Sequence, residues 1–321
     1  MKLLVTGGAG FIGSHLCDAL VGEGHDVVCV DDLSLGLRAN IEHLAGNDQF
    51  RFEEVDILKR EQFRPVVAQG GFDAVFHLAA NSDIPRGLTE PDIDLQKTFL
   101  TTIEVLNAIR EAAISRLIFA STSAIYGELD QALNEDTGPL WPISLYGAAK
   151  LGSEAFISAF SACFSIQAHI FRFPNVVGER ATHGAMFDFI TKLRANPREL
   201  VVLGDGSQVK PYVYVKDLVA GILFGWKHGH DRLNCFNLGV DSATSAIQIA
   251  EIVRGEMGLP DAVIRYTGGD RGWVGDVPRF RYDLTKIHAL GWRAANTSDE
   301  AIRVAVRAEL DLHPFRPQGA A

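Results

Sequence analysis

Residues 1–32 read MKLLVTGGAGFIGSHLCDALVGEGHDVVCVDD, and this stretch decides the fold. Lys2 to Thr6 is a short apolar run suited to a strand buried on both faces. Gly7, Gly10 and Gly13 punctuate the turn that follows, which runs on into an amphipathic helix through His15 to Val21. A second β-branched run, Val27 to Val30, ends on Asp31. Strand, glycine turn, helix, strand and acid, in that order, form the arrangement that binds a dinucleotide. The first glycine permits the tight turn, the second lets backbone N–H groups approach a pyrophosphate, and the third lets helix and strand pack closely. The helix N-terminus adds partial positive charge for the phosphates. Asp31 lies near the offset at which a carboxylate receives the ribose 2′-hydroxyl and would repel a 2′-phosphate, so the expected cofactor is NAD rather than NADP. Glycine turns also open many α/β folds that bind no nucleotide. The flanking strands, helix and acid carry the reading here.

Outward from this stretch the alternation continues. Phe50–Val55, Ala74–Leu78, Leu117–Ala120 and Ile166–Phe171 read as further strands, with helical periodicity over Ile93–Ala112 and, after Pro142, over Tyr146–Phe160. Six strands separated by helices predict an α/β fold, a Rossmann-type doubly wound parallel sheet whose ligands gather beyond the carboxyl ends of the strands. From about Phe173 glycines, prolines and aromatics break the chain into shorter pieces. The expected organisation is therefore an NAD-binding domain over residues 1–172, to which segments at about 212–240 return. A smaller C-terminal α/β lobe over 173–321 would take the substrate. Asp217–Trp226 and Ile247–Met257 are expected helices, the charged positions among Ile302 to Leu312 the solvated face of another, and the tail from Pro314 frayed.

The 321 residues are 47% hydrophobic with a formal net charge of −10, and no dense basic run appears, which excludes a protein that tracks nucleic-acid phosphates. No stretch approaches the roughly 18 apolar residues of a membrane span, and no leader segment is evident, so a cytoplasmic location is expected. Cys17, Cys29, Cys163 and Cys235 show no paired spacing and read as reduced core thiols, with no metal site.

Tyr146-Gly-Ala-Ala-Lys150 lies in the helix after Pro142, and a spacing of four puts both side chains on one face. Tyrosine is a poor base at its ordinary pKa near 10, but a neighbouring ammonium stabilises the phenolate. Such a pair can take a hydroxyl proton while hydride leaves the same carbon. Alone, the spacing equally describes a surface pair. Ser121-Thr122-Ser123 follows directly after the fifth strand, ahead of Tyr126-Gly127, and offers hydroxyls that could hydrogen-bond the reacting oxygen. In isolation these would read as helix caps or turn hydroxyls.

Together with TGGAGFIGSH, HLAA, STSAIYG, YGAAK and RFPNVVG, these residues stand in an order that resembles the extended short-chain dehydrogenase/reductase family. The later GDGSQVKPYVYVKDL, FNLG and GDVP pieces resemble its nucleotide-sugar epimerase/dehydratase branch, and PIS-YGA-K and DRGW-x-GDV its short archaeal and bacterial 4-epimerase type. The likeness runs from about Lys2 to Trp292. It implies Tyr146 as base, Lys150 on the nicotinamide ribose and Thr122 as proton-relay hydroxyl, with Ser121 or Ser123 as substitutes. It implies Asp31 and Ser34 on the adenosine ribose, Asp56 and Ile57 beside the adenine, and Leu78, Ala79 and Ala80 along the pyrophosphate. Phe11, Ile12, Asp32, Asn81, Thr98, Ala120 and Phe173 join the cofactor contacts. On the substrate side it implies Asn175 at the sugar diphosphate, Val201, Val202 and Leu203 at the nucleobase, Lys210 and Arg271 at the phosphates, and Asp276 at the ribose. Asn81, Met186, Phe187 and Tyr212 complete that set. The partners implied are a nucleotide sugar and a second copy of the chain, paired through Ile93–Ala112 and Tyr146–Phe160.

The branch's 4,6-dehydratases carry an Asp-Glu pair after the relay hydroxyl, where this chain has Ser123 and Ala124, and the glutamate of its decarboxylases is also missing. Neither residue titrates near neutrality. The expected reaction is inversion at C4 of a nucleotide-diphosphate hexose, UDP-glucose/UDP-galactose first. A UDP-hexuronate, a UDP-N-acetylhexosamine or a GDP- or CDP-hexose stands as an alternative, as does a non-catalytic NAD-binding regulator. Two departures bear on the sugar: Lys210 stands where relatives usually place arginine, and Thr98 where many have asparagine.

Overall fold

The structure, a computed structural model, describes residues Met1–Phe315. The chain divides into two compact units. The first holds Met1–Gly127, Leu140–Arg172 and Ile222–Phe236; the second holds Glu128–Pro139, Phe173–Gly221 and the described residues from Asn237 to Phe315.

In the first unit, β1 (Lys2–Thr6), β2 (Asp26–Asp31), β3 (Phe50–Glu54), β4 (Ala74–His77), β5 (Arg116–Thr122), β6 (Gln167–Phe173) and a last strand, Leu233–Asn237, form one sheet. The order runs from Leu233–Asn237 through β6, β5, β4, β1 and β2 to β3. β1 pairs in parallel with β2 and β4, setting Val5 between Cys29 and Phe76. The doubly wound parallel sheet is thus present, and Leu233–Asn237 is a strand beyond the six expected. Leu3, Leu4 and Val5 are fully buried, which is why β1 is a continuous apolar run rather than an alternating one. Leu4, Val28, Val75, Leu117 and Phe119 from the sheet meet Leu106, Ile109 and Ile157 from helices in one core. Each such side chain contributes about 1.5–3 kcal/mol by leaving water.

The catalytic-helix candidate runs Leu145–Phe164, capped by the Ser144 hydroxyl accepting from the Gly147 N–H at 3.1 Å and stopped by Ser165 in the left-handed region. The helical stretch expected over Ile93–Ala112 is present but not uniform. A π-helical turn, Leu95–Leu100, joins Asp92–Asp94 to the regular helix Thr101–Glu111. Cys17 and Cys29 are buried, but Cys163 is exposed and Cys235 half-buried, which corrects the expectation of four core thiols.

The second unit is built from short pieces. Asn175–Val177 pairs in parallel with Tyr212–Tyr214, Glu199–Val202 in parallel with Val263–Tyr266, and Val209–Lys210 antiparallel with Thr244–Ser245. Helices Ala246–Glu256 and Ser298–Leu312 each begin with a reciprocal capping box, Ser245 with Gln248 and Thr297 with Glu300. On the latter, Arg303 and Arg307 face solvent and pair with Glu256, but Glu309 is buried, so not every charge among Ile302 to Leu312 is solvated. Most of the tail expected to fray lies outside the described residues. Among the described residues no helix is long and apolar enough to cross a membrane.

Candidate active site

The glycine turn is fitted to its neighbours. Gly7 has φ +72°, and a Cβ there would stand 2.6 Å from the Ala79 backbone N; a Cβ on Gly13 would collide with the Gly7 carbonyl. The Gly7 carbonyl accepts from Gly10 N–H at 3.2 Å. Helix Phe11–Gly22 has no side-chain cap and no acid in its first turn, so its first N–H groups are free of an internal competitor for an anion. Asp31 closes the end of β2, nearly buried, its carboxylate accepting from Ala9 N–H at 3.0 Å and Leu33 N–H at 2.9 Å. Desolvation raises its pKa against those bonds. Asp32 accepts from the Ser34 hydroxyl at 2.6 Å, and Lys97, which sequence reasoning missed, bridges Asp32 at 2.9 Å and Asp56 at 3.0 Å. These residues fit a dinucleotide: backbone donors and no side-chain bulk at the turn, carboxylates at the strand end. Ile57 packs into the core, Leu78, Ala79 and Ala80 stay half-exposed, and Asn81 N–H donates to the Thr98 hydroxyl at 3.1 Å. Ala120 and Phe173 are buried at the ends of their strands.

Helix Leu145–Phe164 lies against the end of β5. Lys150, 2% exposed, donates to the Ala120 carbonyl at 2.7 Å, and its Nζ stands 5.9 Å from the Tyr146 ring centre. The Thr122 side chain favours the ionised form of the Tyr146 phenol, and its Oγ1 accepts from Ala124 N–H at 3.1 Å. Desolvation pushes the Tyr146 phenol well above the ordinary tyrosine value, with the Asp94 carboxylate adding to it and only the Thr122 side chain opposing. Desolvation lowers Lys150 to about 7, against the Glu154 and Asp94 carboxylates, which favour its ammonium. Tyr146, Lys150 and Thr122 therefore come together. Ser121 does not join them: fully buried, its hydroxyl is given to Glu154 at 2.5 Å. Ser123 is half-buried in the short turn after β5. His77 is sealed between Thr6 and Thr102, at 2.7 and 3.1 Å, with burial lowering its pKa to about 3. Glu154, Arg172 and Asp94 are further buried charges that sequence reasoning passed over; Glu154 follows Lys150 by four, a signal present but unused.

In the second unit, the Lys210 ammonium and the Asp276 carboxylate, read separately from the sequence, are paired with each other. Arg271 donates to both Glu128 carboxylate oxygens at 2.9 Å and to the Asp276 carbonyl at 3.0 Å. Val201 and Leu203 are exposed while Val202 points inward; Met186 is buried and Phe187 half-buried. Asn175 stands opposite Tyr212 in their strand pair. Among the described residues no group of His, Cys, Asp and Glu could hold a metal ion.

Against known proteins, the model of the NAD dependent epimerase/dehydratase family matches residues 3–239. The chain is 31% identical over 311 residues to a putative UDP-glucose 4-epimerase of Methanocaldococcus jannaschii, covering 95% of this chain and 97% of the relative. A crystal structure of a UDP-galactose 4-epimerase superposes with TM-score 0.86 at 36% identity, over 98% of this chain and 100% of that one. The dTDP-glucose 4,6-dehydratase DesIV of Streptomyces venezuelae, solved with NAD bound, superposes with TM-score 0.87 at 27% identity, over 97% of each.

Proposed function

The chain belongs to the NAD-dependent epimerase/dehydratase family, and we propose that it is a nucleotide-sugar 4-epimerase, with UDP-glucose and UDP-galactose as its first candidates. One observation carries this reading. The strand end offers a single base–relay pair, Tyr146 and Thr122, and no acid–base pair beside it, because Ser123 and Ala124 occupy the next two positions. Eliminating water across C5 and C6 needs a second proton donor and acceptor there. Exchange of configuration at C4 needs only the first pair.

The residues of the turn, helix Phe11–Gly22 and Asp31 would hold NAD, which supplies a hydride acceptor and, in the return step, a hydride donor at the sugar carbon. Tyr146 would take the proton of the 4-hydroxyl, with Thr122 holding the same oxygen. In the protein alone the phenol resists ionisation, so it is the Lys150 ammonium, together with the positive charge that accompanies the oxidised cofactor, that would bring the phenolate within reach. For inversion the 4-keto sugar would have to present its other face to the cofactor, and Tyr146 would return the proton to its oxygen. One hydrogen and one proton leave and the same two come back, so mass is unchanged. We assign Lys210 and Arg271 to the diphosphate. A lysine in place of arginine keeps the charge but not the bidentate fork, and on that ground another nucleotide sugar stays the second reading. A pure NAD-binding regulator would have no use for an ammonium kept at the cost of burying it.

We also assign this chain to a homodimer. Leu95, Leu100 and Phe156, on the two helical stretches proposed to pair, and Leu145 and Phe164, at the ends of the second helix, are each 41–49% exposed, and Phe99 meets Phe156 edge to face. Light scattering should give twice the chain mass, and Phe156→Glu should halve it. Among the described residues the four cysteines form no disulfide, which supports a cytoplasmic setting. The test of function is proton NMR of UDP-galactose incubated with the protein. A glucose-type anomeric signal at unchanged mass supports the reading; loss of one water contradicts it.

A further inference from the structure

Three successive residues at the end of β5 act on three residues of helix Leu145–Phe164 that are spaced by four, and two of them do so through hydrogen bonds. The Ala120 carbonyl accepts from Lys150 and the Ser121 hydroxyl donates to Glu154, while the Thr122 side chain favours the ionised form of Tyr146. A spacing of four keeps Tyr146, Lys150 and Glu154 on one helical face, stacked a turn apart. Glu154 is bound a second time, from β6. Arg172 reaches its carboxylate through Nε at 3.1 and 3.2 Å and through Nη2 at 2.7 Å, while Arg172 Nη1 donates to the Tyr126 hydroxyl at 2.9 Å. Ser121, Tyr126, Lys150, Glu154 and Arg172 are all buried. A buried carboxylate with this many donors is fixed in place, and removing its charge would leave the Arg172 guanidinium uncompensated.

We infer that Glu154 is a positioning residue for the Tyr146–Lys150 pair: tethered by Ser121 and Arg172, it sets the register of the helix against the strand end and supplies the buried negative charge that the Lys150 ammonium faces. The other groups around Lys150 do not replace it. Tyr146, on the same helix, is uncharged in the protein alone, and His77, on β4, is neutral down to about pH 3. The Phe119 ring centre stands 4.6 Å from Nζ and brings no charge. Arg172 repeats the charge of Lys150 rather than balancing it. Asp94 does act in the same sense, but its one partnered oxygen is held by Asn81 at 2.9 Å and nothing ties it to the helix that carries Lys150. Glu154 alone couples charge to register. The family resemblance offers Ser121 only as a substitute for Thr122 in proton relay; here it holds the residue that holds the pair.

The inference rests on Tyr146 and Lys150 being the proton-handling pair, but its main test needs neither NAD nor sugar. Side-chain NMR of the NAD-free protein, with Lys150 assigned through Lys150→Met, follows the Lys150 midpoint. In the wild type it should lie near 7, well below the ordinary lysine value. Glu154→Gln, which keeps size and an acceptor for Ser121, should lower it by about one pH unit or more. Glu154→Asp keeps the charge but withdraws it by one methylene, and should fall between the two. An unmoved midpoint in folded Glu154→Gln, or in Glu154→Asp if the Gln variant does not fold, overturns the inference. Ser121→Ala leaves every charge in place, and should leave the midpoint within about 0.3 unit while kcat falls about fivefold at unchanged KM. An unchanged kcat would remove the register half of the proposal. If no nucleotide sugar turns over while the midpoint shifts as expected, the epimerase reading has failed and the Lys150 environment stands.

Discussion

The end of β5 in the first unit and the cationic group of the second unit handle charge in opposite ways. At the strand end, Lys150, Glu154 and Arg172 are buried and their partners are set by backbone or by one another. In the second unit Arg271 is paired with Glu128, whose side chain is 44% exposed, through contacts open to water. Lys210 is paired with Asp276, one of the residues proposed to meet the ligand. The difference separates two tasks. Proton transfer requires groups fixed before the substrate arrives, since reorganising them during reaction would add to the barrier. Anion binding tolerates cations that begin paired with the protein's own carboxylates and exchange them for phosphate oxygens. The exposed Arg271–Glu128 pair is worth roughly 0–1 kcal/mol and is easily surrendered, whereas Lys210–Asp276 is largely buried and gives up its partner less readily.

The sharpest way to break this comparison is at the strand end. Tyr146→Phe should cut kcat about 1,000-fold while bound NAD, measured after denaturation, stays at the wild-type level. A small loss would mean that the fixed pair is not the base. Gly13→Ala comes next: its Cβ would strike the Gly7 carbonyl, so bound NAD should fall about 10- to 100-fold, matching roughly 1–3 kcal/mol of overpacking. In the second unit, Arg271→Ala should raise KM about tenfold and leave kcat within about twofold, with the loss shrinking as salt is added. A fall in kcat at unchanged KM would instead place Arg271 with the fixed groups. The smallest effect is one of stability. The pKa of His77 is about 3 in the folded chain against 6.5 as its ordinary value. Below pH 6.5 the unfolded chain takes up a proton that the folded chain refuses, so stability should fall as pH drops from 6.5 toward 3. Urea titrations across that window should show a shallower fall in His77→Gln.

What the sequence made legible follows the same division. The glycine turn, Asp31 and the Tyr146–Lys150 spacing are local patterns, readable because turn geometry and helix periodicity act over a few residues. Glu154 was within reach of the same periodicity, four residues past Lys150. Its meaning depends on Ser121 and Arg172, which come from two other strands, and no local pattern states which buried carboxylate will be neutralised. Residue type alone does not tell the adjacent hydroxyls Ser121 and Thr122 apart; the family resemblance prefers Thr122, but only the packing of β5 against the helix shows Ser121 spent on Glu154. Lys97 was hidden for a related reason: it reaches Asp32 and Asp56 from the π-helical turn, which periodicity alone reads as ordinary helix. In the second unit Lys210 and Asp276 were legible as residues, but their pairing across 66 positions was not.

The central claim is that hydrogen leaves C4 of a nucleotide sugar and returns to the same carbon without reaching solvent. The direct test is UDP-galactose deuterated at C4, incubated with the protein in ordinary water and followed by NMR and mass. The account predicts UDP-glucose with deuterium retained at C4 and no gain or loss of mass. Deuterium lost to solvent, or a product lighter by one water, would contradict it.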